Sequence, residues 1–107
     1  YENNIEAIIC IAYTNDVPTS VRELDMMSEL AYLKKDEKVA IAYTVWSRKR
    51  GAGKEIVNKM IAYAKDRGIN RVVTLSPLTP MATHFHISNG AKQIGINDNT
   101  QNFEYTA

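Results

Sequence analysis

The sequence predicts one α/β (α+β) domain with a mixed β-sheet, a central βαβ unit, flanking helices and a C-terminal β-hairpin. The chain has 107 residues, of which 45% are hydrophobic, which is enough for one core and too little for two. Apolar patterns typical of a strand, a helix and a second strand follow one another over residues 39–76, as a βαβ unit requires. Two further strand patterns flank the polar turn at 97–100 and predict the closing hairpin.

The first half of the chain predicts a strand, a helix and a second strand. Residues 5–13 form a run rich in isoleucine, alanine and tyrosine that predicts a buried strand. Ser20 and Glu23 form a capping box, and apolar residues then recur at helical spacing, which predicts a helix over 21–32. Residues 39–47 are again mostly apolar and predict a second buried strand.

The second half begins with the clearest helical pattern of the chain, over 53–67. Its apolar residues form one stripe, and Gly68 supplies the stop signal. Because this helix links two strands, we expect those strands to be parallel, with a right-handed crossover. The remaining predicted elements are a strand over 69–76, a short helix over 80–89 and a hairpin of 91–96 with 102–106.

Apolar residues occupy both sides of the predicted strands over 39–45 and 72–75, which predicts that the central sheet is covered on both faces. The sequence predicts few helices that could provide this cover. We therefore consider a homodimer in which a second copy of the chain supplies one of the two covers.

Composition and charge argue against several classes of function. Thirteen basic and twelve acidic residues give a net charge of +1, which argues against a nucleic-acid-binding protein. No apolar run approaches the roughly 20 residues of a membrane span, and the N-terminus lacks the pattern of a secretion signal. The single cysteine, Cys10, lies within an apolar run and predicts a reducing, cytoplasmic location.

A basic glycine loop, residues 48–54, connects the second strand to the long helix. Gly51 and Gly53 allow a sharp turn that brings backbone N–H groups against a phosphate. The positive end of the helix dipole adds to the attraction, and basic side chains supply full charges. The loop therefore predicts a small anionic ligand, with a solvated basic turn as the alternative. Its residues are Arg48, Lys49, Arg50, Gly51, Ala52, Gly53 and Lys54.

The spacing Arg48-x-x-Gly51-x-Gly53 resembles the pyrophosphate loop of the GNAT acyltransferases, enzymes that bind acyl-coenzyme A. A second stretch, 82–91, is similar to a short helix of the same family. The residues that match there are Ala82, Phe85, His86 and Gly90.

This resemblance covers residues 39–107. It implies a single acyl-CoA-dependent N-acyltransferase domain over 1–107, with coenzyme A or acetyl-CoA as the cosubstrate and an amine or a protein as the acceptor. Taken as a whole, the sequence also resembles short acetyltransferase-like proteins encoded by bacteriophages.

The resemblance implies that His86 is a general acid, because the family often has a tyrosine there that protonates the coenzyme A thiolate as it leaves. A helix C-terminus nearby favours a cation by up to about 1 kcal/mol, which would keep the pKa of His86 near the range that is useful for proton transfer. We expect the helix to dock on the sheet through Met81, Phe85 and Ser88, which turns His86 toward a cleft between the strands that end at residues 47 and 76. His84 points to another face of the helix, and no metal site is predicted.

The resemblance also implies contacts with the pantetheine arm of coenzyme A. The strand would pair with this arm after Val45, and the amide of Asn89 either caps its helix or contacts the same arm. The expected cofactor-binding residues are therefore Val45, Arg48, Lys49, Arg50, Gly51, Ala52, Gly53, Lys54 and Asn89.

Two alternative functions stay open. The segments Thr74-Leu75-Ser76-Pro77 and Phe85-His86-x-x-Asn89-Gly90-Ala91 resemble the serine and histidine segments of malonyl-CoA decarboxylase, which implies thioester chemistry by Ser76 and His86. The other alternative is a non-catalytic acyl-CoA-binding module. It is favoured because the strand 39–47 carries no carboxylate that could deprotonate an amine.

Overall fold

Six strands and three helices make up the part of the chain that the computed structural model describes, residues 7–47 and 51–105. The strands form one mixed sheet in the order β1-β2-β3-β6-β4, and β5 pairs with β6. This confirms the predicted fold class. In chain order the elements are β1 (Ala7–Thr14), α1 (Val21–Lys34), β2 (Val39–Ser47), α2 (Ala52–Asp66), β3 (Arg71–Thr74), β4 (Ser76–Pro77), α3 (Pro80–Ser88), β5 (Lys92–Ile96) and β6 (Thr100–Tyr105).

The central βαβ unit consists of β2, α2 and β3. Strands β2 and β3 are parallel, with Cα partners from Val39 and Arg71 to Ala42 and Thr74. The strand expected over 69–76 is split, because Ser76 and Pro77 pair with β6 and not with β2. Strand β6 pairs with both β3 and β4, so only the pairing with β2 ends at this point, and proline has no backbone N–H to continue it.

Two helices cover the two faces of the sheet. Successive strand residues point to opposite faces. Val72 accordingly packs with Met60 and other residues of α2, whereas Val73 packs with Leu24 of α1. Helix α1 therefore supplies the second cover within one chain, so the covering of the sheet does not require a second copy, and the homodimer stays a prediction.

Local hydrogen bonds explain where α1 and α3 begin. The Ser20 hydroxyl accepts a bond from the backbone N–H of Glu23 at 3.1 Å, as the capping box predicts. The Thr79 hydroxyl accepts in the same way from the N–H of Ala82 at 3.2 Å. Pro80 follows at the first position of α3, where its missing N–H costs no hydrogen bond. These contacts fix the direction in which α3 leaves β4.

Candidate functional site

A cavity of about 470 Å³ lies where β2 separates from β3 and β4. It is open to solvent, and three segments form its walls. These are residues 42–45 of β2, residues 75–77 just after the pairing with β2 ends, and α3 with its N-cap, represented by Thr79, Met81, Ala82, Phe85 and His86. The structure thus brings together three residues that the sequence singled out, Val45, Ser76 and His86.

The β2 wall of the cavity is the edge of the strand. Four consecutive residues line it, although successive side chains of a strand point to opposite faces, so the cavity must reach the backbone edge. Pairing between β2 and β3 ends at Ala42, whereas pairing between β1 and β2 continues to Ser47. The described residues therefore place no strand beside 43–47 on the cavity side.

A β-bulge accompanies this separation. Cys10 is opposite Thr44, but the next residue of β1, Ile11, is opposite Ala42, which leaves Tyr43 as the extra residue of β2. A bulge bends its strand and increases the local twist. In this position it directs the end of β2 away from β3 and opens the cleft.

His86 is the buried residue of α3, with 4% of its surface exposed. Its Nδ1 lies 2.7 Å from the Tyr105 hydroxyl oxygen, and its ring centroid is 5.1 Å from that of Phe103. No described residue forms a hydrogen bond with its Nε2. Every fully buried side-chain N or O atom of the described residues has a hydrogen-bond partner, so Nε2 is not one of these fully buried atoms. We conclude that Nε2 is reached from the cavity.

Burial lowers the pKa of His86 from 6.5 to about 4, so the ring is neutral at pH 7. This corrects the expectation of a cation-favouring site at the helix end. A shift of that size corresponds to about 3 kcal/mol, which exceeds the roughly 1 kcal/mol available from a helix terminus.

The expected docking face of α3 was wrong. Met81 is 83% exposed and Ser88 is also exposed, whereas Phe85 is half-buried. The reason is that the aromatic residues of β6 accept the His86 ring, which turns the helix toward β6. The side-chain amide of Gln101 holds α3 there, because its Nε2 donates to the Pro77 carbonyl oxygen at 3.0 Å and to the Thr83 hydroxyl oxygen at 2.8 Å.

Tyr105 and Gln101 were not selected from the sequence. Alternation along β6 places Gln101, Phe103 and Tyr105 on one face, and this face meets α3. The alternation was a signal that could have found them.

Ser76 lines the same cavity, but its hydroxyl is engaged elsewhere. It donates to the Thr74 hydroxyl oxygen at 2.8 Å, and that oxygen also accepts from the backbone N–H of Phe103. In the described part of the chain Ser76 has no hydrogen bond to His86. A serine nucleophile needs a base within hydrogen-bond reach, and this geometry does not supply one.

The glycine loop is described in part. Gly51 precedes α2 with a φ of 87°, a conformation that favours glycine, and no side chain caps the helix. The N–H groups of the first turn therefore lack a side-chain acceptor. Ala52 and Gly53 are buried and Lys54 is exposed. The expected contributions of Arg48, Lys49 and Arg50 lie outside the described residues.

Asn89 lies at the C-terminal end of α3 and does not line the cavity. Its side-chain N–H donates to the Phe85 carbonyl oxygen at 2.7 Å. Of the two expected roles, helix cap and contact with the pantetheine arm, this confirms the helix cap. None of the cavity's described lining residues is charged, so the described lining does not contain a carboxylate base. The described residues also contain no cluster of histidine, cysteine and acidic side chains suited to a metal ion.

Comparison with solved structures decides the fold. A crystal structure of a GNAT-family acetyltransferase from Listeria monocytogenes 4b F2365 matches 99% of this chain with a TM-score of 0.67 and 11% sequence identity. The fold is that of the GNAT acetyltransferases. The chain spans 60% of the length of the GNAT structure from Listeria.

Sequence comparison adds nothing to this result, because no protein-family model and no curated protein matches the chain. The likenesses to bacteriophage proteins and to malonyl-CoA decarboxylase stay predictions. Within the described residues, no helix has both the length and the apolar character needed to cross a membrane.

Proposed function

We propose that the protein binds acyl-coenzyme A in the cavity between β2 and β4 and transfers the acyl group to an amine. The observation that carries the proposal is the unpaired edge of β2 beside this cavity, in a fold of the GNAT type. The amides of the pantetheine arm would hydrogen bond to the backbone around Val45, as an additional strand would.

The pyrophosphate of coenzyme A would lie at the N-terminus of α2. The turn at Gly51 leaves the first N–H groups of that helix without a side-chain acceptor, and an anion is the ligand that such groups favour. Lys54 is exposed and adds a positive charge beside them. In this proposal Arg48, Lys49 and Arg50 add further positive charge to the same loop.

His86 would assist the departure of the coenzyme A thiolate. The amine nitrogen forms a bond to the thioester carbonyl carbon, and the C–S bond breaks with its electron pair on sulfur. The nitrogen releases its proton to water, so that the products are the N-acyl amine, the coenzyme A thiolate and a proton. Because burial keeps His86 neutral, it contributes a hydrogen bond from an N–H to the sulfur, which stabilises the developing negative charge without transfer of the histidine proton.

The alternatives receive less support from the described geometry. A decarboxylase-like role for Ser76 lacks a base, because the serine hydroxyl is bonded to Thr74. A non-catalytic binding module would share the acyl-CoA site and would differ only in showing no turnover. We place the reaction in the cytoplasm, in keeping with the free thiol of Cys10.

The proposal is tested by thermal unfolding with coenzyme A, acetyl-CoA and malonyl-CoA, followed by assays of coenzyme A release with a panel of amines. A ligand at 100 times its Kd stabilises the folded state by about 2.7 kcal/mol, which is easily measured. We expect stabilisation by coenzyme A and acetyl-CoA. His86→Gln should lower turnover roughly 100-fold with little loss of affinity, whereas His84→Gln should leave both unchanged. Absence of stabilisation by every coenzyme A derivative would refute the proposal.

A further inference from the structure

We propose that Tyr105 is a positioning residue that holds His86 as the Nε2–H tautomer, so that the imidazole presents a hydrogen-bond donor to the cavity. The tautomer follows from the folded chain alone. The identity of the atom that receives this donor rests on the proposed function.

The pair is enclosed by apolar groups. His86 and Tyr105 are each 4% exposed, and the Tyr105 hydroxyl lies 2.7 Å from His86 Nδ1. The rings that contact the imidazole belong to Phe85 on its own helix and to Phe103 and Tyr105 on β6. No other described residue bonds the tyrosine hydroxyl.

One proton lies between these two atoms, and the tautomer of His86 depends on which of the two carries it. If Nδ1 carried a proton and donated it to the tyrosine oxygen, the hydroxyl hydrogen of Tyr105 would have no acceptor in the described surroundings. A buried donor without an acceptor is unfavourable. If the hydroxyl donates to Nδ1, both atoms are satisfied, and the ring proton of the neutral histidine must be on Nε2.

The electrostatic surroundings keep both members of the pair neutral. Burial lowers the pKa of His86 to about 4 and raises the pKa of Tyr105 above its usual range. The tyrosine therefore keeps the proton that it donates, and the imidazole does not gain a second one at neutral pH.

This assignment limits what His86 can do in the cavity. An Nε2–H group recognises an acceptor, which in the proposed reaction is the thioester sulfur as negative charge develops on it. It also excludes His86 as the base for the amine, because the lone pair of the neutral ring is on Nδ1, facing Tyr105.

The direct test is a long-range proton–nitrogen NMR spectrum of the protein labelled with ¹⁵N at histidine, recorded at neutral pH without ligand. His84→Gln assigns the His86 signals. We expect Nε2 to be protonated and Nδ1 to be bare. In Tyr105→Phe the His86 signals should move toward those of a mixture of the two neutral tautomers, whereas Tyr32→Phe should leave them unchanged. Protonated Nδ1 in the unmodified protein would overturn the inference.

Turnover supplies a second readout that a purely structural role would not produce. Tyr105→Phe should lower kcat roughly 10- to 100-fold with a similar KM for acetyl-CoA. An unchanged kcat in a variant whose tautomer has shifted would overturn the positioning role.

The two proposals can fail separately. A protein that does not bind acetyl-CoA but shows the Nε2–H tautomer refutes the proposed function alone, whereas one that binds it and shows Nδ1–H refutes this inference alone. If Tyr105→Phe does not fold, the spectrum of the unmodified protein still decides the tautomer.

Discussion

His86 shows how a single side chain takes its chemical state from tertiary contacts. A histidine near a helix end is expected to favour its cation, yet the aromatic residues around it remove it from water and favour the neutral ring. The proposed N–H donor and the low pKa therefore have the same origin, the packing of α3 on β6.

Burial of His86 makes the stability of the protein depend on pH. The side chain protonates near pH 6.5 in the unfolded chain and near pH 4 in the folded one, so the unfolded state binds more protons between these values. The free energy of unfolding should carry its full contribution from this group above about pH 6.5. That contribution should fall with decreasing pH toward about pH 4, by at most about 3 kcal/mol.

Urea unfolding over this pH range measures the effect. His86→Gln should flatten the dependence on pH, and His84→Gln is the matched substitution at an exposed position. The same slope in the His86→Gln protein would mean that another group causes the effect.

The sequence could identify His86 but not its partner. A pattern of residues in one short helix was enough to select the histidine. Tyr105 is 19 residues away, and the contact exists only because β6 pairs with β3 while α3 packs beside it. The neutral state of His86 depends on the same contact and could not be derived from local sequence.

At the scale of elements, the beginning of α2 offers a sharp test of the anion site. Gly51 has a φ of 87°, so any other residue there would strain the backbone. Gly53 lies in the first turn of α2, where the helical backbone does not itself require glycine, and it is the better position to change. If the glycine loop holds the pyrophosphate, Gly53→Val should abolish acetyl-CoA binding, because a branched side chain at this position would block the close approach of the backbone N–H groups to the phosphate.

Calorimetric titration of the Gly53→Val protein with acetyl-CoA measures this loss. Ala62→Val on the exposed side of the same helix is the matched control and should bind normally. Normal binding by a folded Gly53→Val protein would exclude the glycine loop as the pyrophosphate site.

Helix ends were predictable, whereas the point at which the pairing with β2 ends was not. Ser20 and Thr79 cap helices through bonds to residues three positions ahead, so local sequence contains the whole signal. Ser76 and Pro77 continue an apolar run and look like the end of β3. Their pairing with β6 depends on where the final hairpin lies, which local sequence does not specify.

At the scale of the molecule, α1 is the element that completes the core. Leu24 is 4% exposed and packs with Val39, Ile41 and Val73 across one face of the sheet. The sequence predicted both this helix and a sheet covered on both faces, but only the structure shows that α1 covers one of those faces.

Truncation of Leu24 should therefore destabilise the whole domain. Leu24→Ala is expected to cost about 2–5 kcal/mol, the usual range for a buried leucine. Leu33→Ala on the same helix should cost much less, because Leu33 is 67% exposed. Chemical denaturation of both variants measures the difference, and equal losses would show that α1 does not cover the sheet as described.

The central claim is that the cleft between β2 and β4 is an acyl-CoA site, and mapping NMR chemical-shift changes on addition of acetyl-CoA tests it most directly. We predict changes in the backbone amides of residues 43–45 and 51–54 and in the His86 ring, since these line the proposed path of the cofactor from thioester to pyrophosphate. The account would be contradicted if these signals did not change at high acetyl-CoA concentration, or if only the signals of α1 changed.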